Sequence, residues 1–363
     1  MSKNKKYHAV VYIGRFQPLH KGHIETMMSA LKLNTDKLVV LVGSSYTARS
    51  IKNPFTFAER SELIKSAVPA SYLELVNREM VVKPVVDHQY NENAWISSVR
   101  FAVNSSLDAG ISKPNVAIVG HNKDASSYYL QMFPDWDFIE ADPVTEDGEV
   151  INATDIREQL FEFWSSDLYS RDNDKLLINI HKKYGSFLGS IDRNVISSIK
   201  AEYDMIMDYR KSWASAPFPP TFNCSDAFVI QSGHVLMVRR REAPGAGNYA
   251  LPGGFIDPNE LPLDASIREL REETKLKVPD KVLKGSLFAQ RVFDDPSRST
   301  RGRTYSHAFG YALDDSLPLP EVRGADDADK AIWVPIETLR TYEFRELIFE
   351  DHASIIDWFL GRI

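Results

Sequence analysis

Two glycines followed by a run of acidic residues, within residues 253–276, constrain the fold of this chain more than any other stretch. Glu269, Glu272 and Glu273 stand at positions i, i+3 and i+4, so a helix would place all three on one face. Like charges at this spacing repel each other and weaken a helix. A divalent cation relieves the repulsion, because Mg²⁺ and Mn²⁺ prefer carboxylate oxygens. The stretch therefore predicts a glycine loop and a helix with a metal-binding face.

The same stretch resembles the Nudix box, in which glycine, glutamate, an Arg-Glu pair and two more glutamates stand at fixed spacing. The matching residues are Gly254, Glu260, Arg268, Glu269, Leu270, Glu272, Glu273 and Leu276. A Nudix hydrolase domain is implied, with Glu269, Glu272 and Glu273 as ligands of Mg²⁺ or Mn²⁺. Glu273 is also a candidate catalytic residue, although the motif leaves open which glutamate accepts the proton of the attacking water.

Two further expectations concern the ends of this motif. We expect Arg268 to pair with Glu260 and so to tie the loop to the helix. Lys275 stands where the motif has glycine, near the end of the predicted helix. A left-handed residue is common there, and that conformation would cost a lysine about 1 kcal/mol. Because Lys275 is not a metal ligand, we expect activity to survive.

Length and composition limit the remaining possibilities. The chain has 363 residues, enough for two or three domains, with 43% hydrophobic and 26% charged residues. A net charge of −7 does not favour nucleic-acid binding, and no apolar run approaches the ~20 residues of a membrane helix. Cys224 is the only cysteine, which excludes an internal disulfide and a cysteine metal cluster and suits a cytoplasmic protein.

The first half alternates apolar β-branched runs with helical patterns. Strands are predicted at 8–13, 37–42, within 80–86, at 115–120 and at 136–140, and helices after residue 23, at 57–67 and at 93–107. This alternation predicts an α/β fold with a doubly wound parallel sheet, a Rossmann-like architecture. Ligands of such sheets bind at the carboxyl ends of the strands, where Gly14, Gly43 and Gly120 fall.

The loop after the first predicted strand carries the residues of a phosphate site. A glycine loop that leads into a helix N-terminus binds anions. Arg15 and Lys21 add cations, and His20 and His23 can become cationic near neutral pH. The P-loop pattern GxxxxGK[ST] is absent, so this predicted nucleoside triphosphate site is of another kind.

Four stretches resemble nucleotidyltransferases. His20-Lys21-Gly22-His23 resembles the HxGH signature of that superfamily. Residues 152–157 resemble its second motif, with Thr154 and Arg157 in place and Asn152 where the motif has serine. Residues 44–60 and 93–95 resemble the archaeal-type nicotinamide mononucleotide (NMN) adenylyltransferases, and the likeness covers roughly residues 6–175.

This resemblance implies transfer of AMP from ATP, the substrate, to NMN, with release of pyrophosphate and Mg²⁺ bridging the ATP oxygens. It implies catalytic roles for His20, His23, Arg15 and Arg157, whose positive charges would hold the triphosphate. Trp95 would stack on the nicotinamide ring, and Asn53 would also bind the mononucleotide. The full set of substrate-binding candidates is Gly14, Phe16, Lys21, Asn53, Asn93, Trp95, Gly120, Asn152 and Thr154.

A proline-rich connector at 211–222 separates the two halves, after a strongly helical stretch at 194–210. We therefore predict an adenylyltransferase domain at 1–185, a helical connector and linker at 186–222, and a Nudix domain at 223–363. Within the latter, strands are predicted at 224–230, 234–240, 282–292, 305–313 and 331–334, and a closing helix at 347–360. Strands on both sides of the catalytic helix fit the α/β/α Nudix sandwich.

Residues outside the Nudix box bear on its substrate. Arg239, Arg240 and Arg241 form a basic run that is either a diphosphate contact or a solvated strand end, with Arg239 as the named candidate. Arg298 and Arg301 lie in a segment, 293–303, that resembles ADP-ribose pyrophosphatases linked to NAD metabolism, although a polar surface loop has the same composition. An enzyme that makes NAD⁺ and also cleaves it would run a futile cycle. ADP-ribose, cleaved to AMP and ribose 5-phosphate, is therefore the predicted substrate.

Three alternatives stay open at this point. The Nudix domain could sense ADP-ribose or NAD⁺ without catalysis, or act on another nucleoside diphosphate derivative. The HxGH site could use another acceptor, although Trp95 argues against this. In each case the expected partners are small nucleotides rather than nucleic acid or membrane, and homo-oligomer formation stays open.

Overall fold

The computed structural model describes residues 5–121, 125–146, 149–165 and 191–363. Its residues form two compact units: Met1–Ser45 with Asn53–Lys200, and Tyr46–Lys52 with Ala201–Ile363. The domain limits given above, at 185 and 223, stay predictions, and the first lies outside the described residues. The sequence pattern within 176–188 also predicts a helix, and this stretch likewise lies outside the described residues.

The first unit contains a parallel sheet of five strands in the order β3-β2-β1-β4-β5. The strands are β1 Tyr7–Gly14, β2 Thr35–Val42, β3 Glu79–Pro84, β4 Val116–Gly120 and β5 Asp137–Glu140. This confirms the predicted doubly wound sheet. The strand order reverses direction beside β1, so the loops after β1 and β4 meet at the point where such sheets bind ligands.

Both faces of this sheet are covered by helices, which explains why its strands read as unbroken apolar runs. The helices are α1 Lys21–Leu31, α2 Phe57–Ala67, α3 Ala70–Val76, α4 Glu92–Asn104 and α5 Ala153–Ser165. Along β1, Val10 belongs to the core beneath α1 and α2, whereas Val11 belongs to the core beneath α4. The short helix α3 was not predicted. A 3₁₀ helix, Ala125–Gln131, and the short strands β6 Thr145–Glu146 and β7 Glu149–Val150 complete the unit.

The second unit is built on a mixed sheet of seven strands. Helix α6, Arg193–Ser212, leads into β8 Thr221–Gln231, β9 His234–Arg240, β10 Tyr249–Ala250, β11 Gly253–Phe255, β12 Leu287–Phe293, β13 Arg303–Ala312 and β14 Ala328–Pro335. The helices are α7 Pro262–Thr274, α8 Asp280–Gly285, α9 Ile336–Leu339, α10 Tyr342–Arg345 and α11 His352–Leu360. The main path runs β10-β9-β8-β13-β12, with β11 beside β8 and β14 beside β9.

Successive residues of β8 pack against different helices on the two faces of the sheet, which gives the predicted sandwich. Val229 packs in one core with Ile267 and Leu270 of α7. Phe228 points to the other face, where its ring stacks on Phe359 of α11 at 4.9 Å. Helix α7 therefore lies on one face of the sheet, with Glu269 beside Gly254 of β11.

Two predicted elements differ in their limits. The strand expected at 282–292 begins as helix α8, because Pro279 starts a helical turn that places Leu283 in the core. The closing helix begins at His352 rather than at residue 347. Among the described residues, no helix has both the length and the hydropathy required to cross a membrane.

Candidate functional site

The turn after β1 folds an aromatic ring back over its own glycine. Phe16 has φ of 52° and is 1% exposed. A Cβ on Gly14 would lie 2.8 Å from the Phe16 ring, so this position requires glycine. The Gly14 carbonyl accepts a hydrogen bond from Gly43 N–H at 2.9 Å, which joins the turns after β1 and β2.

The two histidines of the HxGH motif lie together at the N-terminus of α1. Their rings stack with centroids 3.6 Å apart, and the His20 N–H donates to His23 Nδ1 at 3.3 Å. A ring nitrogen that accepts carries no proton, so His23 holds its proton on Nε2. The Phe16 ring packs edge-on against His23 at 4.8 Å. Lys21 is exposed at the first position of the helix, where an anion is favoured.

Arg157 lies against the same turn from the start of α5. Its Nη1 donates to the Gln17 carbonyl at 2.6 Å, and its Nη2 donates to Thr154 Oγ1 at 3.2 Å. Burial, together with the smaller effect of the positive charge of Arg15, lowers the pKa of Arg157 to about 10. Arg15 itself is exposed. Because the positive charges of Arg15 and Arg157 repel each other, an anion between them would stabilise both.

The remaining candidates of the first unit occupy the ends of its strands and helices. Asn152 Oδ1 accepts from Thr154 N–H at 2.8 Å, so the asparagine caps α5 where the motif has serine. Trp95 is half-buried on α4, with edge-on contacts to Tyr129 at 6.2 Å. Asn93 is exposed on the first turn of α4, and Asn53 lies between β2 and α2. Gly120 ends β4, where a Cβ would lie 2.7 Å from Leu130.

In the second unit, α7 places its acidic face over the glycines of β11. A Cβ on Gly254 would lie 2.4 Å from Glu269 Oε1, and one on Gly253 would lie 2.2 Å from Asp226 Oδ1. Only glycine allows the strand to approach both carboxylates so closely. Arg268 binds Glu260 through Nε and Nη2, both at 2.9 Å, which confirms the predicted tie between loop and helix.

The three glutamates of the metal-binding prediction differ in their contacts. Arg268 Nη1 donates to Glu269 Oε1 at 2.8 Å and to Glu272 Oε2 at 2.9 Å. Glu273 is 6% exposed and accepts from Gly253 N–H at 3.0 Å. Burial raises the pKa of Glu273 to about 8, although the hydrogen bond from Gly253 acts to lower it. Burial also raises the pKa of Glu269.

These carboxylates fit a hard divalent cation in their chemistry. Burial raises the pKa of Glu273 and of Glu269, and a cation beside these two carboxylates would stabilise their charged forms. Within the described ranges, no group of three or more His, Cys, Asp and Glu side chains already stands in metal-holding geometry. Glu269 and Glu272 instead share Arg268 Nη1, and these oxygens would have to exchange that partner for a cation.

The arginines predicted to bind substrate have different surroundings. Arg239 forms a bidentate pair with Asp329 at the surface, through Nε at 2.9 Å and Nη2 at 2.6 Å. Arg298 forms a buried bidentate pair with Asp351 at 2.9 and 3.0 Å. Arg301 has its guanidinium 5.2 Å from the Phe255 ring, and its buried Nε has no hydrogen-bond partner in the described part of the chain.

Of the three arginines in the run 239–241, Arg240 is the one whose charge interacts with that of Glu273. Its guanidinium stacks over Phe349 at 4.3 Å, and its Nε donates to the Pro244 carbonyl at 2.8 Å. Burial lowers the pKa of Arg240, the charge of Arg301 lowers it further, and the charges of Glu350 and Glu273 oppose this. Strand alternation is the signal that could have found it, because Arg239 and Arg240 point to opposite faces of β9.

Family models match the two halves of the chain separately. Residues 11–159 match the Cytidylyltransferase-like family, and residues 224–359 match the NUDIX domain. The chain is also similar to a crystal structure of a bifunctional NMN adenylyltransferase/ADP ribose pyrophosphatase from Francisella tularensis, complexed with AMP and a manganese ion. The identity is 34% and the TM-score 0.85, over 98% of this chain and 99% of that one.

Two relatives each resemble one half of the chain. The nicotinamide/nicotinic acid mononucleotide adenylyltransferase of Acinetobacter baylyi is 36% identical over 160 residues, 43% of this chain and 77% of that protein. The ADP-ribose pyrophosphatase of Methanocaldococcus jannaschii is 32% identical over 131 residues, 36% of this chain and 68% of that protein.

Proposed function

The chain belongs to the family of bifunctional NMN adenylyltransferase/ADP ribose pyrophosphatases, and we propose which of its residues carry out the two reactions. The first unit joins NMN and ATP to form NAD⁺ and pyrophosphate. The second unit cleaves ADP-ribose to AMP and ribose 5-phosphate. The observation that carries the assignment is the whole-length likeness together with an intact residue set in each unit.

In the first reaction, the NMN phosphate attacks the α-phosphorus of ATP and pyrophosphate leaves. The protein acts by positioning the reactants and neutralising charge, as is usual in such transfers. Arg15 and Arg157 converge beside the turn after β1, and Lys21 adds a positive charge at the helix N-terminus. We assign the β- and γ-phosphates to these three cations, since their charge stabilises the leaving group.

The histidine pair would bind the reacting phosphate. His23 would donate a hydrogen bond from Nε2 to an oxygen of the α-phosphate. His20 N–H fixes the orientation of that ring through Nδ1. Both residues are therefore assigned to the transition state. Gly14, Phe16, Gly120, Asn152 and Thr154 would shape the nucleotide pocket, and Asn53, Asn93 and Trp95 would bind NMN.

In the second reaction, Glu269, Glu272 and Glu273 are the residues that would hold a divalent cation, Mg²⁺ or Mn²⁺. Such a cation lowers the pKa of bound water and polarises a diphosphate. Glu273 is the buried one of the three glutamates, and Gly253 N–H holds its carboxylate in place. We therefore assign to Glu273 the proton released by the attacking water, besides its contact with the cation. The first site would use Mg²⁺ bound to ATP.

Arg240 and Arg301 are the proposed diphosphate contacts of the second site. The charge of Arg301 contributes to the lowered pKa of Arg240, and Arg301 Nε lacks an acceptor among the described residues. A diphosphate between them would supply acceptors and negative charge. Arg298 and Arg239 already have carboxylate partners, Asp351 and Asp329. For Arg298 and Arg239 we therefore propose an indirect role in shaping this site, and we propose a cytoplasmic location for the whole enzyme.

The test is an assay of the purified chain with Mg²⁺ on separate substrates: ATP with NMN, ADP-ribose alone, and NAD⁺ alone. We expect NAD⁺ from the first mixture, AMP from the second and little AMP from the third. Chelation by EDTA should stop both reactions. No NAD⁺ from ATP and NMN would refute the first assignment. Release of AMP from NAD⁺ but not from ADP-ribose would refute the second, and binding of ADP-ribose without cleavage would indicate a sensor.

A further inference from the structure

Arg60 is a buried cation at the edge of the sheet that carries the adenylyltransferase residues. It lies on the first turns of α2 and is 1% exposed, so substrate cannot reach it. Its Nη1 donates to the carbonyl of Arg15 at 2.6 Å and to that of Gly43 at 2.7 Å. Its Nη2 donates to the carbonyl of Ser44 at 3.0 Å. One side chain therefore joins the turns after β1 and β2.

Hydrogen bonds also hold the first turn of α2, from which the Arg60 side chain extends. Thr56 and Glu59 form a capping box, in which Thr56 N–H donates to Glu59 Oε2 at 2.7 Å. Arg60 Nε donates to the Thr56 carbonyl at 3.2 Å. Gln17 exchanges two hydrogen bonds with the backbone of Phe55, at 2.7 and 3.0 Å, which ties the turn after β1 to the start of α2.

Two residues with left-handed backbone, Phe16 and Ser44, lie at the carbonyls that Arg60 binds. Phe16 has φ of 52° and Ser44 has φ of 47°. Residues with a Cβ avoid this region unless their surroundings hold them there. Ser44 is held from the other side as well, because its N–H and Oγ donate to the Asp87 carboxylate at 3.0 and 2.5 Å.

The turn that Arg60 holds is in contact with two of the proposed reacting groups, His23 and Arg15. The left-handed turn at Phe16 places its ring against His23. A trans peptide points its C=O and N–H in opposite directions, so the Phe16 N–H is turned away from Arg60. The Arg15 side chain leaves the backbone from the same anchored residue.

We propose that Arg60 is a positioning residue of the adenylyltransferase site, which holds the Arg15, Gly43 and Ser44 carbonyls and thereby sets Arg15 and His23 for transfer. The inference rests on the proposed function of the first unit. Arg60 acts only through these turns. Its loss should therefore lower turnover more than it weakens substrate binding.

The test compares Arg60→Met and Arg60→Lys with wild type and with Arg78→Met. Arg78 precedes β3, at the opposite edge of the same sheet, and serves as the matched control. We expect Arg60→Met to lower kcat of NAD⁺ formation by about 10²-fold, the effect of misplacing reactants by about 1 Å. The KM values for ATP and NMN should change by less than about threefold. Arg60→Lys should recover part of kcat, because an ammonium keeps three of the donors.

Two measurements on the same samples separate positioning from unfolding. Calorimetric titration with NMN counts competent sites in the first unit, and ADP-ribose hydrolysis reports on the second unit. A kcat for Arg60→Met within about threefold of wild type would overturn the proposal. A loss of kcat matched by an equal loss of NMN sites would overturn it too. If Arg60→Met fails to fold, Arg60→Gln, which is uncharged and has only the two N–H donors of one amide, decides by the same criteria. No NAD⁺ from wild type would instead overturn the proposed function, and the positioning role with it.

Discussion

At the scale of single residues, burial sets the protonation of several groups in the second unit. His352 is 6% exposed, and its Nδ1 accepts from Leu251 N–H at 3.0 Å. Burial lowers the pKa of His352, and the nearby charges of Asp226 and Asp351 only partly oppose this. The folded protein therefore holds a neutral histidine, whereas the unfolded chain would protonate it near the ordinary histidine pKa of 6.5.

This histidine predicts a pH dependence of stability. Below about pH 6.5 the unfolded state binds a proton that the folded state does not, so the free energy of unfolding falls as the pH falls. We expect the His352→Gln variant, whose amide oxygen can still accept, to lose less stability between pH 6.5 and 5. Urea unfolding followed by tryptophan fluorescence measures the difference. Parallel losses in both proteins over this range would contradict the assignment.

Cys224 gives a second prediction at this scale. Burial raises its pKa from 9.0 to about 12, and the charge of Asp226 adds to the effect. Three pKa units correspond to about 10³-fold less thiolate at pH 8, and the thiolate is the reactive form. We expect a thiol reagent such as dithionitrobenzoate to react at least about 10²-fold more slowly with the native chain than with the chain in urea. Equal rates would show that Cys224 is accessible.

At the scale of elements, helix α7 combines charge, glycine contacts and an unusual C-terminus. Lys275 ends the helix with φ of 54°, and its N–H donates to the Arg271 carbonyl at 2.9 Å. The expectation of a left-handed lysine at this position is therefore confirmed. Within α7, Glu269 lies next to Gly254 of β11. The fixed number of residues between this glycine and this glutamate in the motif therefore allows the two to meet in the fold.

Replacement of that lysine by the glycine of the motif should stabilise the protein. Lys275→Gly removes the strain of a Cβ at positive φ and should raise the free energy of unfolding by about 0.5–1 kcal/mol. Lys277→Gly is the matched control, since Lys277 is exposed nearby and is not among the residues with positive φ. We expect the control to be neutral or slightly destabilising. Destabilisation by Lys275→Gly as large as in the control would show that the cap is not strained.

At the scale of the whole molecule, the two residue sets fall in different units. The HxGH histidines, Arg15 and Arg157 belong to the first unit, and the glutamates and arginines of the Nudix site belong to the second. Each unit also has its own cores, which contain β1 in one case and β8 in the other. The residues proposed for the two reactions therefore fall in separate units of one chain.

Single substitutions should consequently separate the two activities. His23→Ala should lower NAD⁺ formation by about 10²-fold or more and leave ADP-ribose hydrolysis near the wild-type rate. Glu273→Gln should do the reverse. Both rates are measured on the same preparation of each variant, so each activity serves as the folding control of the other. Loss of both activities in either variant would contradict the separation.

Local patterns were sufficient for most elements and for both motifs. Periodicity gave the five parallel strands of the first unit, because residues buried on both faces must be apolar. The spacing of Arg268 and Glu260 was enough to predict their pair, since both lie within one motif. Helix α3 and the helical start of the 282–292 stretch were missed, because short apolar runs fit a helix and a strand equally well.

The sequence by itself determined the two folds and the residue types of both sites, since a periodic pattern and a motif are properties of neighbouring residues. Only the tertiary structure decided which charges already have partners. Arg239 and Arg298 are bound by Asp329 and Asp351, which lie 90 and 53 residues further along the chain. Arg240 lies towards Glu273 instead, because successive side chains of a strand point to opposite faces. Long-range packing fixes such partners, and no local pattern contains them.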